Sequence, residues 1–284
     1  MIDLAAHRYR ATDPALDFCL WPYDRPQPAG ATALRTSALL WHSFAVAGVT
    51  ERMEPLVQAI RQRFGRFATV WGVKWDGQQL SWEFYFYDYA RQDRRRNIAD
   101  FLDATAEQLI SDLTAPDHVP YFMFSVEVDG NTTSLDQVDL YIGNPGSTVS
   151  SGICYGWSSQ GMELRNFYFF FDALAEGGAI RAKLTESAHM LTEPDDLSPW
   201  LWADVQAQTI VVANKRQRDG LYFSRIGADD LLTCLRRLNY PAPICSFLAE
   251  HRDALAHHLF DVGWDWEMRG DVPVPVKGSF YGLV

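Results

Sequence analysis

Apolar and polar positions alternate with period two through five stretches of this chain, each an extended run, a short polar turn and a second run closing in aromatics. They read TVWGVKWDGQQLSWEFYFYD, YFMFSVEVDGNTTSLDQVDLYIGN, SGICYGWSSQGMELRNFYFFFD, QTIVVANKRQRDGLYFSRI and LFDVGWDWEMRGDVPVPVKGSFYGLV. Successive side chains of a strand point to opposite faces, so this alternation marks half-buried strands, and its return marks a repeated hairpin unit. Repeated hairpins predict about ten antiparallel strands; a sheet of that size curls, and only closure into a barrel removes its edges.

Between the hairpins the period changes to that of a helix. Thr50 to Phe64 places Met53, Leu56, Val57, Ile60 and Phe64 on one stripe, and Arg94 to Leu113 does the same with Ile98, Phe101, Leu102, Leu109 and Ile110. Further helices are expected over Ala173 to Leu191, weakened near Gly177 and Gly178, over Ala228 to Leu238, and over Pro243 to His258 beyond the Tyr240-Pro241 break. Single-stripe helices must lie on an apolar surface, and each strand offers one. The fold class expected is α+β: a closed antiparallel barrel wrapped by outer amphipathic helices, as one domain over residues 1–284.

The first hairpin assigns the faces. A two-residue turn at Asp76-Gly77 would pair Trp75 with Gln78, Lys74 with Gln79, Gly72 with Ser81 and Val70 with Glu83. One face then carries Gly72, Lys74, Gln79, Ser81, Glu83, Tyr85 and Tyr87, and the other Trp71, Val73, Trp82, Phe84 and Phe86. The same split sets Gln137, Asp139 and Tyr141 against Val138, Leu140 and Ile142, and Lys277, Ser279 and Tyr281 against Val274, Val276 and Phe280. With helices outside, the apolar face is the outer one and the polar, tyrosine-rich face lines a lumen that holds a ligand. The other arrangement is an open sheet with that face in bulk water, which would leave large aromatic surface exposed.

Charge narrows the partners. A net charge of -11 disfavours nucleic acid and anionic lipid, both of which are met with Lys and Arg. The N-terminus lacks the basic and apolar regions of a signal peptide, and no apolar run reaches the length of a membrane span, so the expectation is a cytoplasmic protein without a membrane partner. Cys19, Cys154, Cys234 and Cys245 have no CxxC spacing and read as reduced packing residues. His257-His258 lacks metal-site spacing, and Arg94-Arg95-Arg96 reads as a solvated charge run.

Several segments resemble the aromatic prenyltransferase barrel, the αββα or ABBA fold, and among its members most closely the cyanobactin-type peptide prenyltransferases. NKRQRDGLYFSRIGADDLLTCLRRLNYPAPICSFLAEHRD is similar to their strand ending in aromatics, DLL-type helix and HSF-like stretch; VPVKGSFYGLV stands where they have a last strand with a basic residue before aromatics; LRNFYFFF is similar to their third hairpin, whose Asn-x-Tyr pair faces the lumen. The resemblance implies transfer of a prenyl group from an allylic diphosphate, dimethylallyl or geranyl, to a nucleophilic side chain of a peptide or to an aromatic small molecule. It implies Lys277 as the first diphosphate ligand, joined by Lys74 and Lys215, with Arg225 less secure because its parity points outward. Tyr85, Tyr141, Asn166, Tyr168, Tyr222 and Tyr281 would form the acceptor pocket and shield the allylic cation by cation–π attraction. Glu83, midway along its strand, would be the base.

The chain departs from that family in its second hairpin, where Gln137, Asp139 and Tyr141 stand in place of a lumen lysine. Asp139 beside a diphosphate is unfavourable unless a magnesium ion bridges them; otherwise the donor sits elsewhere or catalysis has been lost. Glu83, Glu127 and Asp139 facing one lumen, with Asp261 or Asp265 added by strand nine, imply an acceptor with a positive or strongly donating group, oriented by Glu83. The competing class is a non-catalytic barrel that binds a small apolar or amphiphilic ligand.

Overall fold

The computed structural model describes residues 2–90, 94–116, 118–190, 194 and 196–284. Ten strands run β1 (Val70–Trp75), β2 (Leu80–Tyr87), β3 (Met123–Asp129), β4 (Gln137–Gly143), β5 (Ser151–Ser158), β6 (Gly161–Asp172), β7 (Thr209–Lys215), β8 (Gly220–Ile226), β9 (Phe260–Arg269) and β10 (Val272–Leu283). Each pairs antiparallel with its neighbours in sequence, and β1 pairs with β10, so the sheet closes and leaves no edge strand. Because direction alternates, the turns that join odd to even strands all lie at one end of the barrel and the longer crossovers at the other.

Helices α1 (Ser37–Ala47) and α2 (Thr50–Phe64) precede β1, and α3 (Ile98–Thr105), α4 (Gly177–Thr185), α5 (Ala228–Arg237), α6 (Ala242–Glu250) and α7 (Arg252–Leu255) lie in those crossovers. They cover the outer face, where Trp71, Trp82, Phe84, Phe86, Phe124, Phe223, Trp264 and Trp266 are fully buried. Phe44 of α1 meets Trp82 edge-on at 5.1 Å, and Phe101 of α3 meets Phe86 at 5.2 Å. Burying such side chains contributes roughly 1.5–3 kcal/mol each, so this outer layer, not the lumen, supplies most of the hydrophobic stabilisation. Among the described residues no helix is long and apolar enough to cross a membrane.

The inside-out face assignment holds, but the register of the first hairpin differs. Val70 pairs with Tyr85, Gly72 with Glu83 and Lys74 with Ser81, leaving a loop of residues 76–79. Asp76 causes the longer loop: its carboxylate accepts the backbone N–H groups of Gln78 and Gln79, both at 2.9 Å, which withdraws them from the ladder. The slip is by two residues, so every side chain keeps its face. In β10 a bulge between Pro275 and Lys277 sets Val274 opposite Glu267, against the expected outer placement, while Lys277, Ser279 and Tyr281 keep lumen parity opposite Asp265, Gly263 and Asp261.

The helices are shorter than their stripes. The helix expected from Arg94 begins at Ile98, because Asn97 caps it by accepting the Asp100 N–H at 2.8 Å and Arg94 has a left-handed φ of 45°. The helix expected over Ala173 to Leu191 spans Gly177–Thr185, its two glycines opening it; Leu191 lies outside the described residues. The Pro243 to His258 stretch divides at His251 into α6 and α7. Helix α1 carries no readable stripe, since Ala38, Leu39, Leu40, Trp41 and Phe44 bury most of its circumference.

The N-terminal segment closes the crossover end. Leu16 bridges Pro22, and between them Asp17 accepts the N–H groups of Cys19 (2.8 Å) and Trp21 (2.9 Å), folding residues 16–22 into a tight loop with Leu20 at φ 60°. Phe18 at its tip enters the barrel and meets Tyr281 at 4.7 Å, Tyr85 at 5.2 Å and Tyr87 at 6.2 Å.

Candidate functional site in the barrel lumen

Above Phe18 a closed ring of five tyrosines encircles the lumen. Ring centroids follow one another at 6.3 Å (Tyr85 to Tyr141), 6.0 Å (Tyr141 to Tyr168), 6.2 Å (Tyr168 to Tyr222), 6.4 Å (Tyr222 to Tyr281) and 5.8 Å (Tyr281 to Tyr85). Each comes from a different strand at lumen parity. The ring closes only because space is left for it: a Cβ on Gly263 would lie 2.2 Å from the Tyr222 ring, so only glycine fits on β9 there. Burial holds the phenols of Tyr85, Tyr141, Tyr168 and Tyr281 well above their ordinary pKa, so they stay neutral.

Toward the hairpin-turn end, charged groups replace the rings around a cavity of about 200 Å³. Its wall carries the cations Lys74, Arg165, Lys215 and Lys277 and the carboxylates Glu83, Glu127, Asp139 and Asp265, four of each sign. Lys74 pairs with both Glu83 and, at 2.6 Å, Glu127. Burial alone would lower its pKa, but Glu127 and Glu83 overcome that and hold it well above the ordinary lysine value. Lys215 binds Asp265 at 2.5 Å and the Tyr222 hydroxyl at 3.2 Å, which likewise outweigh burial and raise its pKa. Lys277 meets Glu127 at 3.3 Å with its side chain one-third exposed. The cavity opens past Glu127 and Lys277 into a vestibule of about 400 Å³ bordered by Asp76, Asp129 and Arg218.

The two candidate carboxylates differ in their surroundings. Glu83 is buried and fully engaged, accepting the Tyr85 hydroxyl at 2.5 Å and the Ser125 hydroxyl at 2.5 Å besides pairing with Lys74. Among the described residues the Asp139 side chain accepts one hydrogen bond, from the Gln137 side-chain amide at 3.5 Å on Oδ1. Burial, and Glu83 after it, push its carboxyl up to about 6, against the pull of Lys74 and Arg165. Among the described residues no group of three or more His, Cys, Asp and Glu is arranged to hold a metal ion.

Of the residues expected at the site, Lys74, Glu83, Tyr85, Asp139, Tyr141, Asn166, Tyr168, Lys215, Tyr222, Lys277 and Tyr281 all line this cavity. Asn166 donates to the Tyr168 hydroxyl at 2.9 Å, so the Asn-x-Tyr pair works as a unit. Arg225 does not belong. A bulge in β8 between Phe223 and Ile226 gives it a φ of 59° and turns it to the crossover end, where Nε and Nη2 hold Asp17 at 3.0 and 2.5 Å. Asp261 also lies at that end, accepting the Arg225 N–H, rather than with the mouth carboxylates.

Arg165 is a lumen residue that strand parity hides. Counting by two from Asn166 and Tyr168 places it outside, but β6 shifts register against β5 at Cys154/Tyr155 and brings it in. Gly156 makes the room, since a Cβ there would lie 2.6 Å from Arg165 Nε. Arg165 Nη2 donates to Gln137 and lies 3.7 Å from Glu163, and its buried Nε has no hydrogen-bond partner among the described residues. The glycine opposite a strand full of aromatics is the one sequence clue to this close approach.

No protein-family model matches the chain, and no curated protein matches it.

Proposed function

We propose that this chain is a prenyltransferase of the ABBA type, moving an isoprenoid group from an allylic diphosphate to a nucleophilic side chain of a peptide or to an aromatic small molecule. One observation carries the reading: a closed ring of neutral tyrosines sits directly below a tier of cations, in a lumen stoppered beneath by Phe18. An allylic diphosphate has the matching polarity, with an anionic head and an apolar tail. The cations stabilise the leaving group as the allylic C–O bond breaks and its electron pair departs with the diphosphate. The tyrosine faces hold the resulting cation, at about 2 kcal/mol or more where water is excluded. The acceptor then forms the new bond to that carbon and gives its proton to a lumen carboxylate. Glu83 fills this role only by releasing one of its three partners. Asp139 would hold either a magnesium ion, which would neutralise part of the diphosphate charge, or a cationic acceptor, but not both.

The second reading, a binding barrel without chemistry, is favoured by one fact: Lys74, Lys215 and Lys277 are already paired with carboxylates. Incubation with dimethylallyl or geranyl diphosphate and Tyr-, Trp- or Arg-containing peptides, with and without magnesium, separates the two. Acceptor-dependent release of diphosphate with a product heavier by one prenyl group supports the transferase. Saturable binding with no turnover across these donors supports the carrier.

A further inference from the structure

The lumen's charges are matched unevenly. Glu83, Glu127 and Asp265 each hold a lysine, whereas Asp139 forms no ion pair among the described residues, and its Oδ2 makes no hydrogen bond. It lies in the cavity wall between its strand neighbours Gln137 and Tyr141, with Tyr141 belonging to the aromatic ring. An anionic carboxylate facing an enclosed space is unfavourable without a counter-charge, and the cations nearest it bond elsewhere: Lys74 to Glu83 and Glu127, and Arg165 Nη2 to Gln137 and, at 3.7 Å, to Glu163, while Arg165 Nε, without a hydrogen-bond partner among the described residues, makes no ion pair with Asp139 either.

From this we infer that Asp139 is the recognition point for a cationic acceptor, one carrying a guanidinium or a protonated amine. The inference deepens the prenyl-transfer reading and rests on it for the word acceptor. Two further facts favour a cation over a neutral phenol. With the wall balanced at four cations and four carboxylates, a bound diphosphate leaves the site with about three negative charges in excess, which a cationic partner reduces. The neighbouring tyrosine faces add cation–π attraction, strongest where the cation is desolvated, and a planar guanidinium stacks on them. The approach is acidic as well, since Asp76, Glu127 and Asp129 border the vestibule against Arg218 and Lys277.

Binding alone tests this, without donor, so that failure of prenyl transfer leaves the result readable. N-acetyl-arginine methylamide and N-acetyl-lysine methylamide are titrated calorimetrically into the protein beside N-acetyl-citrulline methylamide, which keeps the arginine shape without the charge. The expected result is at least about tenfold tighter binding of one or both cationic probes than of citrulline, lost in Asp139→Asn and kept in Asp139→Glu. Equal binding of charged and neutral probes by the wild-type protein overturns the proposal whatever the variants do. So does a charge preference that survives in a folded Asp139→Asn protein, which would place the cation on another carboxylate.

Discussion

The two ends of the barrel use the same chemical groups to opposite purpose. At the crossover end Asp17 and Arg225 lock the N-terminal loop over the lumen, Phe18 fills the space beneath the tyrosines, and the nearby cavity is only about 30 Å³. At the turn end, carboxylates and lysines surround about 200 Å³ that opens outward. An ion pair that fastens two segments seals; ion pairs distributed around a ring leave their centre free. Side chains alone do not separate these cases, as Arg225 shows: it has the chemistry of a diphosphate ligand and the position of a latch.

The largest effect should come from the latch. Asp17 is 6% exposed and caps its own loop as well as holding Arg225, so Asp17→Ala should destabilise the protein by about 4 kcal/mol. Urea unfolding measures this. A loss below about 1 kcal/mol would mean that the loop is only loosely seated.

At the open end the balance reverses. Lys215→Met should lower prenyl transfer about a hundredfold, equivalent to about 3 kcal/mol, and should also lower thermal stability, because it leaves the mostly buried Asp265 without its lysine. Lys277→Ala should do less, because its side chain is one-third exposed and, among the described residues, pairs only with Glu127. Steady-state rates on both variants set the order, and equal losses would remove the distinction drawn between the two lysines.

A third prediction uses pH at the closed end. Burial, with Asp17 adding to it and the Ser224 hydroxyl and Arg225 opposing, pushes the Asp261 carboxyl up to about 7. The folded protein therefore holds this proton more tightly than the unfolded chain, whose value is near 4. Its stabilising contribution is present at low pH and is lost as pH rises from about 4 to about 7. Asp261→Asn stays neutral and should escape that loss, so the stability difference between variant and wild type should grow across this window to on the order of 4 kcal/mol and then level off. A difference independent of pH would show that Asp261 is ionised throughout.

The smallest effect concerns the ring that both ends share. Tyr222→Leu opens the ring beside Lys215 and should reduce transfer about tenfold through lost cation–π attraction, leaving donor binding nearly unchanged. Single-turnover and binding measurements on this variant separate the two.

Much of this site was legible because period two is a property of the chain itself. Lys74, Glu83, Tyr85, Asp139, Tyr141, Tyr168, Tyr222, Lys277 and Tyr281 could be assigned to one face by counting, and the two-residue slip in the first hairpin did no harm to that count. Counting failed where the ladder is interrupted. The bulges that carry Arg165 into the lumen and move Val274 off the outer face arise from pairing with a particular partner strand, which no local pattern encodes; at Arg225 the outward parity already spoke against the ligand role that the resemblance implied.

The sequence by itself determined which residues form strands, which face each presents and that helices cover the apolar side, because these follow from steric periodicity and the burial of apolar surface within short stretches. Only the tertiary structure decided that the N-terminal loop stoppers one end, that five tyrosines from five strands close a ring, and that Asp139, among the carboxylates lining the turn-end cavity, has no ion pair among the described residues. Those outcomes depend on which side chains meet across a closed circle of strands, and such meetings are set by register and closure over the whole chain.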